Sequence, residues 1–236
     1  MPIALITGSS RGIGRAVAGR LAADGFDIVV NYRTSAESAH EVVAKVEAAG
    51  RRAVAVQADV ADPVQLRGLF RTTAEHFGGI DAFVGNAAAS ITSPIADMAD
   101  DDFDHMWRTN TRATFIALRE SARRVRDGGR VIIISSGAVV ALNPATGPYA
   151  ATKAAGDALV QVAAKELGQR GITVNSVLPG PTRTELLNVD PGVVAQRTPL
   201  GRIGEPDDIA EVVGFLASSR GGWITGQTIR AAGGLV

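Results

Sequence analysis

The sequence predicts an α/β fold, in which a doubly wound parallel β-sheet carries helices on both faces. Short apolar runs alternate with amphipathic stretches of helical length along the whole chain, and strands that alternate with helices pair in parallel. The runs contain few polar residues, which is typical of strands buried on both faces. At 236 residues, 46% of them hydrophobic, the chain is long enough for one such domain over 1–236. We find neither an internal repeat nor a linker that would divide it.

Charge and composition limit the partners of the chain. The 24 basic residues balance 24 acidic ones, and no basic run is present that would bind nucleic acid. No apolar stretch approaches the roughly 20 residues that a membrane span needs. The chain has no cysteine, and its three histidines lack the spacing of metal ligands. We therefore expect a soluble cytoplasmic protein that acts on a small molecule and has no metal site.

The first predicted strand, Ile3–Ile6, runs into a glycine-rich turn and then into a helix that ends at Gly25. Glycines at such a junction let the backbone turn tightly and approach a pyrophosphate, whose charge the helix N-terminus favours. A strand before the turn and a helix after it strengthen this interpretation. The residues predicted to bind a dinucleotide here are Thr7, Gly8, Ser10, Arg11, Gly12, Ile13 and Gly14.

The end of the second strand, over 28–31, indicates which dinucleotide is preferred. An acidic side chain at this place binds the ribose 2′-hydroxyl of NAD. Here Asn31, Tyr32 and Arg33 stand there instead, and Arg33 and Arg11 offer guanidinium groups to a 2′-phosphate. NADP(H) is therefore favoured, with NAD(H) possible, and the alternative is that both arginines are simply solvated.

The pattern continues with a helix over 35–49, a strand over 53–57 and a helix that begins at Asp62-Pro63. Asp59 and Val60 follow the third strand, where an adenine ring would lie. A fourth strand over 80–84 leads to Asn86 and Ala87, and a helical stretch over 97–125 contains Asn110. An Asn inside a helix is mildly unfavourable, which indicates either a task or a neutral surface position.

The strand over 131–134 ends at Ser135-Ser136, and Tyr149 then begins an Ala-rich helix. Lys153 lies four residues after Tyr149, so the two side chains share a helix face. A free tyrosine has a pKa of about 10, and a fixed cation nearby would lower it and make the phenol a usable acid or base. Ser136 would donate a hydrogen bond to a substrate oxygen. The alternative is a solvated pair on a helix surface.

The last third of the chain completes the alternation. The Tyr149 helix extends to about 169, a strand covers 172–178, and a last helix and strand begin near Glu205 and Gln227. Between them, Pro179-Gly180 begins a long loop that reaches about 203. A loop of this length in a compact domain usually has a function, and we expect the segment 182–203 to cover the substrate, with a disordered segment as the alternative.

These residues resemble the short-chain dehydrogenase/reductase family along essentially the whole chain. The Thr-Gly-x-x-x-Gly-x-Gly turn of the family matches Thr7, Gly8, Gly12 and Gly14, and its Tyr-x-x-x-Lys pair matches Tyr149 and Lys153. The remaining matches are Asn110, Ser136, Asn86, Ala87, Pro179, Gly180, Thr182 and Thr184. The segments at 202–206 and 224–227 look most like 3-oxoacyl-carrier-protein reductases. One departure is Gly85-Asn86-Ala87-Ala88, where the family has Asn-Asn-Ala-Gly.

The resemblance implies a Rossmann-like fold, a homotetramer and a catalytic set of Asn110, Ser136, Tyr149 and Lys153. Tyr149 would protonate a carbonyl oxygen while NADPH delivers a hydride, and Asn110 would position a water that returns the proton through Lys153. If the glycine missing at Ala88 needed a positive φ, this residue would be strained or the turn would differ. An acyl-carrier substrate would dock on the exposed arginines Arg123, Arg124, Arg126 and Arg170, which equally suit ordinary helix ends.

Three functions therefore stay open from the sequence. The favoured one is an NADPH-dependent reductase of a ketone or 3-oxoacyl carbonyl. The second is an NAD(H)-preferring alcohol or sugar dehydrogenase of the same fold. The third is a non-catalytic dinucleotide-binding sensor, against which the retained Ser136, Tyr149 and Lys153 argue.

Overall fold

The computed structural model describes residues 1–185, 187 and 190–236. Seven strands form one sheet in the order β3-β2-β1-β4-β5-β6-β7, and every neighbouring pair is parallel. The strands are β1 (Ile3–Ile6), β2 (Asp27–Tyr32), β3 (Ala53–Gln57), β4 (Ile80–Gly85), β5 (Val125–Ile134), β6 (Thr173–Pro179) and β7 (Thr228–Ala231). The strand order reverses between β1 and β4, which is where ligands bind in sheets of this kind. The predicted fold class is confirmed.

Helices cover both faces of this sheet. They are α1 (Gly12–Ala23), α2 (Ala36–Ala48), α3 (Pro63–Phe77), α4 (Asp100–Met106), α5 (Ala113–Arg124), α6 (Ala138–Ala141), α7 (Gly147–Leu167), α8 (Pro191–Arg197) and α9 (Pro206–Ala217). Within the described ranges, no helix is long and apolar enough to span a bilayer.

Two apolar clusters fill the space between the sheet and its helices. Successive residues of β1 point to opposite faces, so Ala4 and Ile6 enter one cluster and Leu5 enters the other. The first cluster packs the sheet against α1, α2 and α9, and the second packs it against α3, α5 and α7. Burial on both faces explains why the strands have almost continuous apolar sequences.

The helical stretch predicted over 97–125 is interrupted in the structure. Between α4 and α5, residues Trp107–Arg112 form a π-helical turn, and Asn110 lies within it. A π-turn is frequently found at functional sites, because the extra residue per turn redirects the side chains around it. The segment α5 then ends at Arg124, and β5 begins at Val125, six residues before the predicted strand.

The segment predicted as a covering loop over 182–203 contains a short helix. The side chain of Asp190 caps α8 by accepting from Gly192 N at 2.7 Å, and Pro191 occupies its first turn. A bridge between Thr182 and Gly204 brings the two ends of the segment together. Leu186, Asn188 and Val189 of this segment lie outside the described residues.

Candidate active site

A cleft of about 720 Å³ lies along the carboxyl ends of the central strands. Its volume is typical of a site for a cofactor or a drug-sized ligand. Both halves of the predicted site line it: the glycine turn after β1 and the Ser136, Tyr149 and Lys153 side chains. The other predicted residues along its wall are Tyr32, Arg33, Asp59, Val60, Asn86, Ala87, Pro179, Gly180, Thr182 and Thr184. Of the predicted set, Thr7, Gly14 and Asn110 lie behind the wall and support it.

The glycines of the turn are required by its geometry. Gly8 and Gly12 have φ values of 61° and 54°, which L-residues with a side chain rarely adopt. Gly14 packs so closely that an added Cβ would lie 2.5 Å from the carbonyl oxygen of Gly8. The turn therefore presents bare backbone where α1 begins, and the amides at this end of α1 suit a pyrophosphate.

Polar side chains behind the turn fix its shape. Asn31 Oδ1 accepts from Gly8 N at 3.1 Å, and Asn31 Nδ2 donates to Ala58 O at 3.1 Å. Thr7 Oγ1 accepts from Asn86 N at 2.9 Å, while Asn86 Nδ2 donates to Thr7 O at 3.0 Å. The ends of four parallel strands are thereby connected through hydrogen bonds around the glycine turn.

The arginines predicted to bind a 2′-phosphate both line the cleft. Arg33 is exposed at the end of β2. Arg11 forms an ion pair with Glu185, with 3.2 Å between Nε and Oε2 and both side chains largely exposed. An exposed pair of this kind contributes little stability, so Arg11 can exchange Glu185 for another anion at small cost.

Ser136 and Tyr149 meet at the cleft. Ser136 Oγ accepts from Ala138 N at 3.2 Å, which leaves its proton available to donate. Tyr149 stands in the first turn of α7 and is half-buried. Burial raises the pKa of the Tyr149 phenol above its usual value of 10, and the hydrogen bond with Ser136 lowers it in part.

Lys153 is buried, with 7% of its surface exposed. Its Nζ donates to the carbonyl oxygen of Ile134 at 2.9 Å. Burial lowers the pKa of the Lys153 ammonium from 10.5 to about 8, and the charge of Asp157 opposes that change. The expectation that this ammonium lowers the pKa of Tyr149 is not what the structure shows, because desolvation of the phenol is the larger effect.

Asp157 is a residue that sequence reasoning missed. It lies on α7, four residues after Lys153, and 7% of its surface is exposed. Ser135 Oγ donates to Asp157 Oδ2 at 2.8 Å. The signal in the sequence was a single carboxylate at helical spacing from Tyr149 and Lys153 inside an Ala-rich helix.

Asn110 acts as a brace between two walls of the site. Its Oδ1 accepts from Ala89 N at 2.9 Å, and its Nδ2 donates to Ala89 O at 2.8 Å and to Thr152 Oγ1 at 2.9 Å. The amide thus connects the loop after β4 to α7, one residue before Lys153. The π-turn directs this side chain into the protein.

The departure from the family pattern after β4 is accommodated by packing. At Gly85 an added Cβ would lie 2.8 Å from Ile133 Cδ1, so a larger residue would require the end of the Ile133 side chain to move. Within the described ranges, the residues other than glycine that have a positive φ are Leu142 and Ala145. Ala88 is not one of them, so the turn accepts an alanine there without left-handed strain.

The segment after β6 closes the cleft against the glycine turn. Gly180 approaches Ala232 so closely that a Cβ would lie 2.9 Å from its Cα. Thr182 Oγ1 donates to Gly180 O at 2.9 Å. The Thr184 methyl group packs beside Gly12, 3.3 Å from where a Cβ of that glycine would be. Thr182 and Thr184 therefore contact the region expected for the cofactor.

Comparisons with known proteins agree with this architecture. A family model described as enoyl-(acyl carrier protein) reductase matches residues 8–236. The chain is 43% identical over 252 residues to NADPH-dependent aldehyde reductase 2 of Arabidopsis thaliana, covering 98% of this chain and 93% of that protein. It is 39% identical over 249 residues to a versicolorin reductase of Emericella nidulans, covering 98% and 94%.

Among solved structures, a short-chain dehydrogenase from Burkholderia cenocepacia J2315 in complex with NADP superposes with a TM-score of 0.95. The two sequences are 41% identical, and the match covers 99% of this chain and 97% of the other. Taken with the glycine turn and the Tyr149–Lys153 pair, these matches show that the chain belongs to the short-chain dehydrogenase/reductase family of NAD(P)-dependent oxidoreductases.

Proposed function

We propose that this protein is an NADPH-dependent reductase that converts the carbonyl group of a small molecule to an alcohol, with Tyr149 as the proton donor. The observation that carries the proposal is the single cleft, which is lined both by the glycine turn at the start of α1 and by Ser136, Tyr149 and Lys153. A bound dinucleotide and a reacting carbonyl would thus share one enclosed space.

The residues present fit NADPH. Gly8 and Gly12 leave bare backbone at the start of α1 for a pyrophosphate, and Gly14 lets the turn pack closely against the carbonyl oxygen of Gly8. Arg33 at the end of β2 and Arg11 in the glycine turn supply guanidinium groups to a 2′-phosphate. A carboxylate of the kind that binds NAD at the end of β2 would repel this phosphate. The named relative from Arabidopsis and the Burkholderia complex support NADP over NAD.

In the mechanism, each side chain has a distinct task. When bound, NADPH supplies the hydride that adds to the carbonyl carbon. Ser136 donates a hydrogen bond to the carbonyl oxygen and stabilises its developing charge. Tyr149 transfers its phenolic proton to that oxygen, and the raised pKa keeps the proton on the phenol at neutral pH, as a donor requires. Lys153 would hold the ribose hydroxyls of the bound cofactor, and Asn110 keeps α7 against the loop after β4.

The surroundings favour a free carbonyl compound over a carrier-bound acyl chain. Each of the four arginines considered for carrier docking pairs with a carboxylate of this chain, which an acidic carrier would have to displace. Arg123 and Arg124 bond Glu120, Arg126 bonds Asp81, and Arg170 bonds Asp127. The lining of the cleft includes small or apolar residues such as Ala88, Ala138, Ala141, Leu187 and Leu235, next to polar ones such as Thr92, His105 and Asn143. Aldehydes and hydrophobic ketones suit these walls, and the segment 182–203 would cover them.

The test is a panel of aldehydes, aromatic ketones and 3-oxoacyl thioesters, each incubated with NADPH or NADH. We expect NADPH to be oxidised faster than NADH with at least one aldehyde or aromatic ketone. Faster oxidation of NADH would favour the dehydrogenase alternative. Binding of NADPH without turnover over the whole panel would favour the sensor.

The homotetramer and the cytoplasmic location stay predictions. Trp223, Phe115 and Trp107 expose large aromatic surfaces, 99%, 47% and 41% of their areas, which supports an association between copies of the chain. Light scattering coupled to size exclusion would measure the mass of the assembly, and a mass near 24 kDa would contradict the tetramer.

A further inference from the structure

The inference concerns Asp157 and rests on the proposed function. Tyr149, Lys153 and Asp157 follow one another at intervals of four residues on α7 and so form one stripe along the helix. Tyr149 lines the cleft, and Asp157 lies two turns deeper, against the ends of β5 and β6. The carboxylate and the ammonium are each exposed over only 7% of their residue surface.

A hydrogen bond from the end of the sheet fixes the carboxylate of Asp157. Ser135, next to Ser136 at the end of β5, donates its hydroxyl to Oδ2 at 2.8 Å. Burial raises the pKa of the Asp157 carboxyl, and the neighbouring hydroxyls of Ser135 and of the fully buried Ser176 on β6 lower it. Hydroxyl donors of this kind stabilise the ionised form and fix its direction.

Lys153 needs a countercharge because it is removed from water. An isolated buried ammonium loses its proton more readily, and an anion within a few ångströms opposes that loss. Among the described residues, Asp157 is the acidic group that acts on the Lys153 charge, across one helical turn and without a direct ion-pair contact. Burial lowers the pKa of Lys153 and raises the pKa of Asp157, which narrows the pH range in which both groups are charged. The attraction between the two charges opposes both shifts and widens that range.

The other groups that pack here do not change this assignment. Tyr149 is the further titratable side chain, and it is neutral at physiological pH. Strand β5 presents the Ile134 carbonyl and Ser135, strand β6 presents Ser176, and α5 presents Thr114 beside Gly156. None of these carries a charge.

We propose that Asp157 is a positioning residue: oriented by Ser135, its carboxylate is the buried countercharge that keeps Lys153 an ammonium during turnover. The lysine in turn must be charged to orient the ribose and to return the proton to Tyr149. If Asp157 had only a structural role, its replacement would change the stability or the rate by the same factor at every pH.

The first test is the pH profile of kcat/KM for Asp157→Asn, which keeps the size of the side chain and an oxygen for Ser135. We expect the decline at high pH to move down by about one unit, so that activity at pH 7.5 falls about threefold while activity near pH 6 stays close to wild type. Asp127→Asn removes an exposed carboxylate on β5 and is the matched control. A uniform loss at every pH, or an unmoved decline, would overturn the proposal.

The second test does not depend on activity. We expect Lys153→Met and Asp157→Asn each to lower Tm, and the double variant to lose less than the sum, because it leaves neither charge buried alone. Additive losses of Tm would overturn the pairing of the two charges. This test holds even if Asp157→Asn is too unstable for an activity assay. An inactive wild-type protein would contradict the proposed function and leave this measurement valid.

Discussion

The ammonium of Lys153 lies 2.9 Å from the carbonyl oxygen of Ile134, so α7 is tied to the end of β5 immediately before Ser135 and Ser136. This bond places a buried cation between the helix that carries Tyr149 and the strand that carries Ser136. The position of the lysine is therefore set by the sheet as well as by its own helix.

The first prediction is the pH dependence of the wild-type reaction. The pKa of Lys153 is lowered to about 8 in the folded protein, so the ammonium is present below that pH and is lost above it. We expect the rate of NADPH oxidation at saturating substrate to fall about tenfold per unit above pH 8. A stopped assay in overlapping buffers would measure it, and a rate that stays constant up to pH 10 would contradict it.

The second prediction concerns the phenol of Tyr149. Tyr149→Phe keeps the ring and removes the proton donor, so we expect kcat to fall by roughly 10²- to 10⁴-fold with the Kd for NADPH within about twofold of wild type. Fluorescence titration measures Kd. Tyr32→Phe is the matched control, since the chain has two tyrosines and both line the cleft. Equal losses in the two variants would exclude a specific role for Tyr149.

The third prediction tests the phosphate preference. Arg33→Gln removes an exposed guanidinium at the end of β2. A hydrogen bond to a charged group is worth about 1.5–3 kcal/mol, so we expect the KM for NADPH to rise roughly 10- to 100-fold and the KM for NADH to change little. Arg71→Gln, on α3 and paired with Glu75, serves as the control. An equal rise for both cofactors would argue against 2′-phosphate recognition by Arg33.

The fourth prediction concerns acid stability at the start of α9. Asp208 accepts from both Arg202 nitrogens at 2.6 and 2.7 Å and from Glu205 N at 2.7 Å, and these bonds lower its pKa to about 2. A lowered folded-state pKa contributes stability that is present above the unfolded value of 3.8 and is lost as pH falls towards 2.

We therefore expect Asp208→Ala to lower the free energy of unfolding at pH 7 by roughly 1 kcal/mol, comparable with the loss of a helix cap. The difference from wild type should disappear near pH 2. Urea titrations at both pH values measure it, with Asp207→Ala as the neighbouring control. A deficit that persists unchanged in acid would rule out the ionised carboxylate as its source.

The fifth prediction concerns backbone strain beside the site. Leu142 ends α6 with φ 48° and ψ 43°, a left-handed conformation, while its side chain is 68% exposed. The left-handed region costs a residue with a Cβ roughly 1–2 kcal/mol. We expect Leu142→Gly to raise the free energy of unfolding by up to about 1 kcal/mol, after the extra entropy of glycine in the unfolded chain. Leu142→Ala keeps the Cβ and therefore the strain, so it is the control. An equal rise in the free energy of unfolding of Leu142→Ala would show that backbone strain is not the cause.

Local patterns predicted the strands and the glycine turn because each depends on residues that are close together along the chain. The strand over 53–57 and the helix begun by Asp62-Pro63 are observed as predicted. An apolar run and a helix cap are signals that lie within a few residues of the element they predict. The glycines Gly8, Gly12 and Gly14 were expected from the strand before them and the helix after them, whereas Thr7 was expected from the resemblance to the family. The four-residue interval between Tyr149 and Lys153 predicted that they share a helix face, and both residues line the cleft.

Features that depend on tertiary packing were not predictable in this way. The role proposed for Asp157 depends on Ser135, which directly follows β5, and on Ser176 of β6. These residues come together only through the packing of α7 on the sheet. The direction of the Tyr149 pKa shift depends on burial, which spacing does not report. The π-turn at Asn110 and the helix α8 were missed because neither carries a periodic apolar signal of its own.

The Asn110 amide has a consequence for remodelling the enzyme. It bonds the backbone of Ala89 on one side and the hydroxyl of Thr152 on the other, so a substitution that displaces the backbone at 89 would also displace the neighbour of Lys153. Enlarging the chamber for wider compounds is better attempted from the opposite wall, at Ala138 and Ala141, which line the cleft without sharing those bonds.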